Sequence, residues 1–294
     1  MVQTAQPEPP LFPRPLLPVG KLSYVLPDDP LPLRAAVRVM ERLSGSGKLE
    51  KLYRRWRVEK YARGAPFWES ALEMLGVDLR LHGAPWPPAV AEDEPRIIIA
   101  NHPFGLMDGV AAAALAERLG RPFKVMVHEA LMRVPEPEPY LLPVDFSESR
   151  EAMQKNLQLR KDTLAALARG ETIVIFPAGG VSTAPKVLGP AEDLPWKRFT
   201  ARLIREARAT VLPLYFPGQN GLMFHAVSKI SMRLRISMIV GAAKRHMNRP
   251  IDICIGDPIR YDELEALAGN RDALMDVLRA KVYGLSSTMG SNDP

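Results

Sequence analysis

From residue 71 onward the chain alternates between short apolar runs and longer amphipathic stretches. Segments such as RIIIA and TIVIF place apolar residues at successive positions, as strands buried on both faces do. The predicted strands lie at 77–83, 96–100, 123–128, 140–144, 171–176, 210–216 and 251–256, and the predicted helices at 67–75, 108–119, 148–169, 196–208, 221–243 and 271–284. This alternation predicts an α/β fold with a mixed, mostly parallel sheet that is covered by helices on both faces.

The residues before the predicted sheet follow a different pattern. Residues 1–33 contain nine prolines, and we expect residues 1–32 to form a proline-rich tail. Residues 33–66 are predicted to be a basic amphipathic helical region, because the segment LRAAVRVMERL places apolar side chains on one helical face and arginines on the other. The α/β domain is then predicted at 67–284, and a C-terminal tail at 285–294.

The positive charge is concentrated in the same N-terminal region. Residues 1–64 hold 12 Lys and Arg against 6 Asp and Glu, and the rest of the chain holds 27 of each sign, so the net charge of +6 is all N-terminal. Aromatic residues alternate with these cations at Tyr53, Trp56, Tyr61, Phe67 and Trp68. Two interpretations remain open: the region binds an anionic membrane surface, or it packs on the main domain with its cations in solvent. Nucleic acid is not an expected partner, because no recognisable binding module accompanies the basic residues.

Composition excludes several classes of protein. The chain is 47% hydrophobic and 24% charged, which is ordinary for a globular protein and unlike a disordered or collagenous one. A single cysteine, Cys254, excludes a disulfide scaffold and a cysteine-based zinc site, and no metal site is predicted. The sequence shows neither a secretory signal nor an apolar run long enough to span a membrane. We therefore expect a cytoplasmic protein that is peripheral on the inner face of the cell membrane.

Polar residues follow three of the predicted strands, where ligands bind in open α/β sheets. The segment NHPFGLMDG comes directly after RIIIA and contains His102 and Asp108. We expect Asp108 at the N-cap of the next helix, where its carboxylate fixes the tautomer of His102 so that the other ring nitrogen takes a proton from a hydroxyl. The alternative is that Asp108 only caps the helix and His102 is bonded to backbone.

The loops after the other two strands carry weaker signals. In PAGGVSTAPK, Gly179 and Gly180 allow backbone N–H groups to converge on an anion or an oxyanion, Ser182 adds a hydroxyl and Lys186 adds a cation. A covalent mechanism with Ser182 as nucleophile stays open, although PAGGVS is not the GxSxG elbow of the α/β-hydrolases. The loop PGQNG after the third strand places Asn220 at the same rim.

The order of these segments resembles a known family. The blocks IIIANHPFGLMDG, YLLPVD, IVIFPAGGVS and VLPLYFPGQN are similar to four successive blocks of the lysophospholipid acyltransferase family, the 1-acylglycerol-3-phosphate acyltransferase-like enzymes. The resemblance is greatest to the ornithine-lipid O-acyltransferase and hemolysin-like branch, in which five residues separate the His and the Asp, as they separate His102 from Asp108. It extends over about residues 67–260.

The resemblance implies an α/β fold and an O-acyltransferase. Such enzymes move a fatty acyl group from acyl carrier protein or coenzyme A to the hydroxyl of a lysolipid, such as lysophosphatidic acid or a lyso-ornithine lipid. His102 would be the general base and Asp108 its orienting partner, with no cofactor or metal. The residues implied in substrate binding are Asn101, Phe104, Gly105, Phe176, Pro177, Gly179, Gly180, Ser182, Lys186 and Asn220.

The third block departs from the family pattern. Ala178 and Val181 stand where the wider family has the Glu and Arg that contact a glycerophosphate acceptor, and Gly180 replaces the Glu of the closer branch. A phosphate-free lysolipid is therefore as good a candidate acceptor as lysophosphatidic acid, and Lys186, Lys197 or Arg198 would have to replace the missing Arg. Two further alternatives stay open: a non-catalytic lipid-binding or membrane-tethering protein on the same fold, and a serine esterase or thioesterase that uses Ser182.

Overall fold

The computed structural model describes Leu31 and residues 46–129, 135–145, 149–184, 189–221 and 243–291. The amphipathic helix predicted at 33–43, the proline-rich tail apart from Leu31, and nearly all of the helix predicted at 221–243 lie outside these residues, as does Lys186. Within the described ranges, no helix is both long enough and apolar enough to cross a membrane.

A seven-stranded sheet forms the centre of the domain, in the order β1-β7-β6-β2-β5-β3-β4. All neighbouring strands are parallel except β6 and β7, so the prediction of a mixed, mostly parallel sheet is confirmed. Each strand lies within two residues of its predicted bounds. The strands are β1 (Leu79–Gly83), β2 (Arg96–Ala100), β3 (Phe123–His128), β4 (Leu141–Val144), β5 (Thr172–Ile175), β6 (Thr210–Tyr215) and β7 (Ile251–Ile255).

The described helices connect or flank these strands. The α-helices are α1 (Ser46–Glu59), α2 (Phe67–Leu75), α3 (Leu106–Glu117), α4 (Arg150–Ala168), α5 (Arg198–Ala207), α6 (Tyr261–Leu264) and α7 (Arg271–Gly284), and short 3₁₀ helices lie at Tyr61–Arg63, Glu138–Tyr140, Glu265–Leu267 and Leu285–Ser291. The last 3₁₀ helix belongs to the segment predicted as a tail, and it packs beside β1 and β7.

Alternation along the central strands divides the core into two layers. Ile98 and Ala100 of β2 point into one hydrophobic cluster, whereas Ile97 and Ile99 point into the other. The side chains of a strand alternate between faces, so a strand with a helix layer on each side must be apolar at every position. This explains why RIIIA reads as a continuous apolar run, and it places the residue after β2 at the edge of the sheet between the two layers.

The two helix layers differ in how they pack. On the first face, α1, α2 and α3 cover the sheet, and the alanines of α3 from Ala111 to Ala114 are fully buried. Alanine favours the helix and lets its backbone approach the sheet closely. On the second face, α4, α5 and α7 pack through larger side chains such as Leu203, Ile204 and Leu278. The predicted cover on both faces is therefore confirmed.

Candidate active site

The three polar loops meet at one edge of the sheet. Strands β5 and β6 flank β2 and run parallel to it, so the carboxyl ends of all three lie together. The amide of Ser182, in the loop after β5, donates to the carbonyl of His102 at 2.8 Å. Nδ2 of Asn220, in the loop after β6, donates to the carbonyl of Pro103, also at 2.8 Å. The sequence prediction that these loops form one rim is borne out by these contacts.

The imidazole of His102 lies against a fully buried carboxylate. Nδ1 of His102 is 2.9 Å from Oδ2 of Asp108, whose side chain is 0% exposed. The same oxygen accepts hydrogen bonds from the backbone amides of Phe104, at 2.8 Å, and Gly105, at 2.9 Å. A carboxylate at Nδ1 favours the tautomer that carries its proton there, which leaves Nε2 as a proton acceptor. The pair therefore has the arrangement of a general base with an orienting partner.

The predicted position of Asp108 at the helix N-cap is wrong by three residues. Helix α3 begins at Leu106, its N-cap is Gly105, and Asp108 is the third residue of the helix. Gly105 has a φ of +82°, a backbone conformation that a side chain disfavours, and this turn lets the helix start earlier than the pattern indicated. Asp108 consequently reaches back over the turn to bind both the backbone and His102.

Burial governs the charge of this pair. Removal from water raises the pKa of the Asp108 carboxyl above its ordinary value, and the adjacent imidazole of His102 and the backbone hydrogen bonds from Phe104 and Gly105 oppose that shift. The other carboxyl oxygen, Oδ1, is buried without a hydrogen-bond partner among the described residues. A buried carboxylate held in this way is a favourable neighbour for a histidine that becomes positively charged, because the low local dielectric strengthens their attraction.

His102 also lines a cavity. His102 retains 17% side-chain exposure and lines an apolar cavity of about 670 Å³. Phe176, the first residue after β5, stacks on the imidazole with ring centroids 4.1 Å apart. The cavity continues past this ring along residues from both layers, such as Trp56 and Phe67 on one side and Leu159 and Phe199 on the other. The His102 pair thus lies beside a long apolar space.

The predicted substrate-binding residues fall into two groups. Gly105, Phe176, Pro177, Gly179 and Gly180 line the cavity together with His102. The remaining ones in the described part of the chain are outside its lining, and they hold the loops in place. These are Asn101, whose side chain bonds to the backbone of Phe216 in both directions, Phe104, which packs on His246, and Ser182 and Asn220, which are buried in loop-to-loop hydrogen bonds.

The backbone N–H groups of the two glycines in the third block, Gly179 and Gly180, differ in their hydrogen bonds. Gly179 has a φ of +69° and its amide donates to the carbonyl of Phe176 at 2.9 Å, so it forms a tight turn. Gly180 also lines the cavity, and its amide donates to no backbone acceptor within the described residues. Gly180 is therefore the candidate oxyanion donor of the two, because the N–H group of Gly179 is used within the turn.

Ser182 does not have the surroundings of a nucleophile. Its side chain is 1% exposed, and Oγ donates to Oδ1 of Asp193 at 2.5 Å. It meets His102 through the backbone of both residues, not through the imidazole. A serine nucleophile needs its base within hydrogen-bond reach and an open path to the substrate. Neither condition is met here, so the structure disfavours the esterase alternative.

Of the two described cations that could replace the missing Arg, one lines the cavity and the other does not. Lys197 lines the cavity. Arg198 instead forms an exposed ion pair with Asp272 of α7, at 2.5 Å. Among the described residues, no three His, Cys, Asp or Glu side chains lie together as a metal site requires.

Two buried acidic residues near the site carry no motif that would reveal them. Asp193 is 6% exposed and binds both the backbone of His102 and the hydroxyl of Ser182. Glu136 is 2% exposed and accepts hydrogen bonds from the hydroxyl of Tyr53 and from Nε of Arg57. Both lie in irregular segments, where periodicity gives no sign of burial.

The N-terminal aromatic residues pack against the domain. Trp56, Phe67 and Trp68 are each less than 9% exposed and belong to the first hydrophobic cluster, with Tyr53 and Tyr61 packed against it. Nε1 of Trp56 donates to Oγ of Ser70 at 3.0 Å. These contacts support the packing interpretation for the five rings. Four of them, Tyr53, Trp56, Phe67 and Trp68, also line the cavity.

The chain is similar to known acyltransferases. A family model described as Acyltransferase matches residues 89–292. A lyso-glycine lipid O-acyltransferase from Bacteroides thetaiotaomicron is 24% identical over 212 residues, which cover 69% of this chain and 73% of the relative. The crystal structure of the 1-acyl-sn-glycerophosphate (LPA) acyltransferase PlsC from Thermotoga maritima aligns with 75% of this chain and 77% of its own, at 17% identity and a TM-score of 0.47.

The family match covers well over half of the chain. The chain therefore belongs to this acyltransferase family. The family predicted from the four sequence blocks is confirmed, and with it the enzyme class, an O-acyltransferase.

Proposed function

We propose that this enzyme transfers a fatty acyl group from a thioester donor to the hydroxyl of a lysolipid. The observation that carries the proposal is the position of His102, with Nδ1 on the buried Asp108 and its ring lining an apolar cavity. A general base must be oriented, and its free nitrogen must reach the proton that it removes. An acyl donor must also find an apolar space beside that base.

The reaction follows from the proton positions. Nε2 of His102 takes the proton of the acceptor hydroxyl as the hydroxyl oxygen forms a bond to the thioester carbonyl carbon. The negative charge moves to the carbonyl oxygen, where the N–H of Gly180 would stabilise it. When the carbon–sulfur bond breaks, the leaving sulfur takes the proton from His102. The negative charge of Asp108 stabilises the imidazolium between these steps, and no protein nucleophile is required.

The cavity suits the hydrocarbon part of the substrates. Its volume of about 670 Å³ falls in the range of ligand sites, and its lining is dominated by aliphatic and aromatic side chains. Each methylene group that leaves water for such a space contributes about 0.8 kcal/mol. Binding of an acyl chain would thus hold the reacting carbonyl at the edge of the sheet, next to His102.

The composition of the third block favours an acceptor without a phosphate group. Ala178 and Val181 are 1% and 3% exposed and offer no charge to a phosphate. Among the described residues that line the cavity, Lys197 is the only Lys or Arg. The relative from Bacteroides thetaiotaomicron is named for a glycine lipid, an acceptor of the amino-acid type. We propose a lyso-amino-acid lipid as the preferred acceptor and lysophosphatidic acid as the poorer one.

The surroundings of the reaction form part of the proposal. The acceptor is a membrane lipid, so we propose that the enzyme works on the cytoplasmic face of the cell membrane, with acyl carrier protein or coenzyme A as the carrier of the acyl group. Lys48, Lys51 and Arg63 have no ion pair among the described residues, and they would meet an anionic surface.

The proposal is tested with purified protein, a panel of lysolipids and both thioester donors. We expect product with a lyso-glycine or lyso-ornithine lipid at a higher kcat/KM than with lysophosphatidic acid. Binding of lysolipid without turnover for any donor would favour the lipid-binding alternative. Free fatty acid released at the same rate with and without acceptor would favour the thioesterase alternative.

A further inference from the structure

A single buried carboxylate joins the segments that surround His102. Asp193 lies between β5 and α5, is 6% exposed and is outside the cavity lining. Its Oδ1 accepts from the backbone N–H of His102 at 3.1 Å and from the hydroxyl of Ser182 at 2.5 Å. Its Oδ2 accepts from Nε1 of Trp196 at 2.9 Å.

These contacts hold the backbone of His102 from both sides. The N–H of His102 donates to Asp193, and its carbonyl accepts from the amide of Ser182 at 2.8 Å. Because the hydroxyl of Ser182 also donates to Asp193, the three residues form a closed ring of hydrogen bonds. A loop residue tied at both its N–H and its C=O has little freedom to rotate, which fixes the direction of its side chain.

The same residue is anchored to the far side of the domain. The backbone N–H of Asp193 donates to the phenol oxygen of Tyr283, in helix α7, at 3.0 Å. Burial raises the pKa of Tyr283 to about 12, so the phenol stays neutral at physiological pH. The backbone of Asp193 is therefore tied to helix α7 through Tyr283. The oxygen that contacts His102 and Ser182 is Oδ1, and the contact with Trp196 is on Oδ2.

We propose that Asp193 is a positioning residue for catalysis, which fixes the backbone of His102 so that Nδ1 stays on Asp108 while Nε2 faces the cavity. Asp193 acts through His102 and takes no proton from the substrate. The role rests on the proposed function, because it presupposes that His102 is the base. A displacement of about 1 Å at a reacting group is enough to lower a rate by about 10²-fold, so a small shift of this loop has a large effect.

The test compares three variants of the full-length protein. Asp193→Ala removes all three acceptor contacts, and we expect kcat to fall by about 10- to 100-fold with the KM of both substrates unchanged. Asp193→Asn keeps one oxygen that can bind both His102 and Ser182, so it should recover most of the lost kcat. Trp196→Phe removes the contact on Oδ2 only, so it should lower the melting temperature and leave kcat close to that of the wild type.

Rates are divided by the folded fraction, measured by circular dichroism at the assay temperature. Equal kcat losses in Trp196→Phe and Asp193→Ala after this correction would show a merely structural role and overturn the proposal, as would an unchanged kcat in Asp193→Ala. If Asp193→Ala does not fold, Ser182→Ala is compared with Trp196→Phe in its place. Ser182→Ala opens the ring of hydrogen bonds, so we expect it to lose more kcat than Trp196→Phe.

A second readout separates this proposal from the proposed function. Amide hydrogen exchange at His102 should become faster in Asp193→Ala and stay slow in Trp196→Phe, whether or not the protein acts on the chosen lipids. Unchanged exchange at His102 would overturn the positioning role. Absence of His102-dependent transfer in the wild type would instead contradict the proposed function.

Discussion

Among the described residues, two histidines each lie beside an aspartate at nearly the same distance, but the two pairs differ in burial and in the ring nitrogen that is used. Nδ1 of His102 lies 2.9 Å from Asp108, and Nε2 of His82 lies 2.8 Å from Asp252. The first pair has a fully buried carboxylate, whereas the carboxylate of the second is 32% exposed. The comparison shows that the distance between the two side chains does not define a catalytic site.

Position in the fold separates the two pairs. His82 and Asp252 lie within the neighbouring strands β1 and β7, at the far end of the sheet order, and neither lines the cavity. Their contact uses Nε2, the nitrogen farther from the backbone. His102 follows the end of a central strand and uses Nδ1 for its aspartate, so its outer nitrogen is left for a substrate. Under the proposed function, the catalytic pair is thus the one with a buried carboxylate, a contact through Nδ1 and a place on the cavity lining.

The largest expected effect comes from removal of the two histidines in turn. His102→Ala should lower turnover by roughly 10²–10⁴ because it removes the general base. The matched variant His82→Ala removes a pair at the same distance and should leave turnover close to that of the wild type, because neither His82 nor Asp252 lines the cavity. Steady-state rates with the same acceptor and donor provide the measurement. A retained rate in His102→Ala would eliminate the base mechanism.

Neutralising the two aspartates in turn should give a smaller difference in kcat than removing the two histidines. Asp108→Asn keeps an oxygen near His102 but loses the negative charge that favours the imidazolium. A hydrogen bond to a charged group is worth about 1.5–3 kcal/mol, and about 1.4 kcal/mol corresponds to tenfold, so kcat should fall by about 10- to 100-fold. Asp252→Asn should have no measurable effect on kcat. A similar loss in both variants would show that the difference in burial has no catalytic consequence.

Much of this arrangement is visible in the sequence, and the missing parts have a physical reason. The strands were predictable because burial on two faces requires uninterrupted apolar runs such as RIIIA. His102 and Asp108 were predictable because they follow such a run. Asp193 and Glu136 were not, since an irregular segment has no periodicity from which burial can be inferred. The position of Asp108 within α3 depended on the turn at Gly105, which the letters alone do not determine.

The cavity beside His102 offers a third way to sharpen the comparison. Gly109 in α3 lines this cavity, and a Cβ added there meets no atom within 4 Å. Gly109→Leu should therefore fill part of the cavity without distorting the helix, whereas Gly109→Ala should mainly favour the helix, by about 0.5–1 kcal/mol. If the larger side chain displaces two methylene groups of the substrate, at about 0.8 kcal/mol each, kcat/KM should fall by about tenfold for a long-chain donor.

A short-chain donor provides the control for this variant. Its kcat/KM should change much less in Gly109→Leu, because the displaced part of the chain is missing from it. An equal loss for long and short donors would show that the substitution disturbs His102 and not the hydrocarbon site.

The smallest expected effect is on membrane binding by the cations of α1. These cations differ in their surroundings, as the two histidines do. Lys51 has no ion pair among the described residues, whereas Arg54 is 2.8 Å from Glu50 on the same helix. A cation near an anionic leaflet contributes about 1 kcal/mol, so Lys51→Gln should weaken binding to phosphatidylserine vesicles by about fivefold at low salt. Arg54→Gln should change it less, because Glu50 already offsets that charge. The difference should shrink at physiological ionic strength, where the screening length is about 8 Å. Equal binding of both variants and the wild type in vesicle sedimentation would mean that the membrane meets another part of the protein.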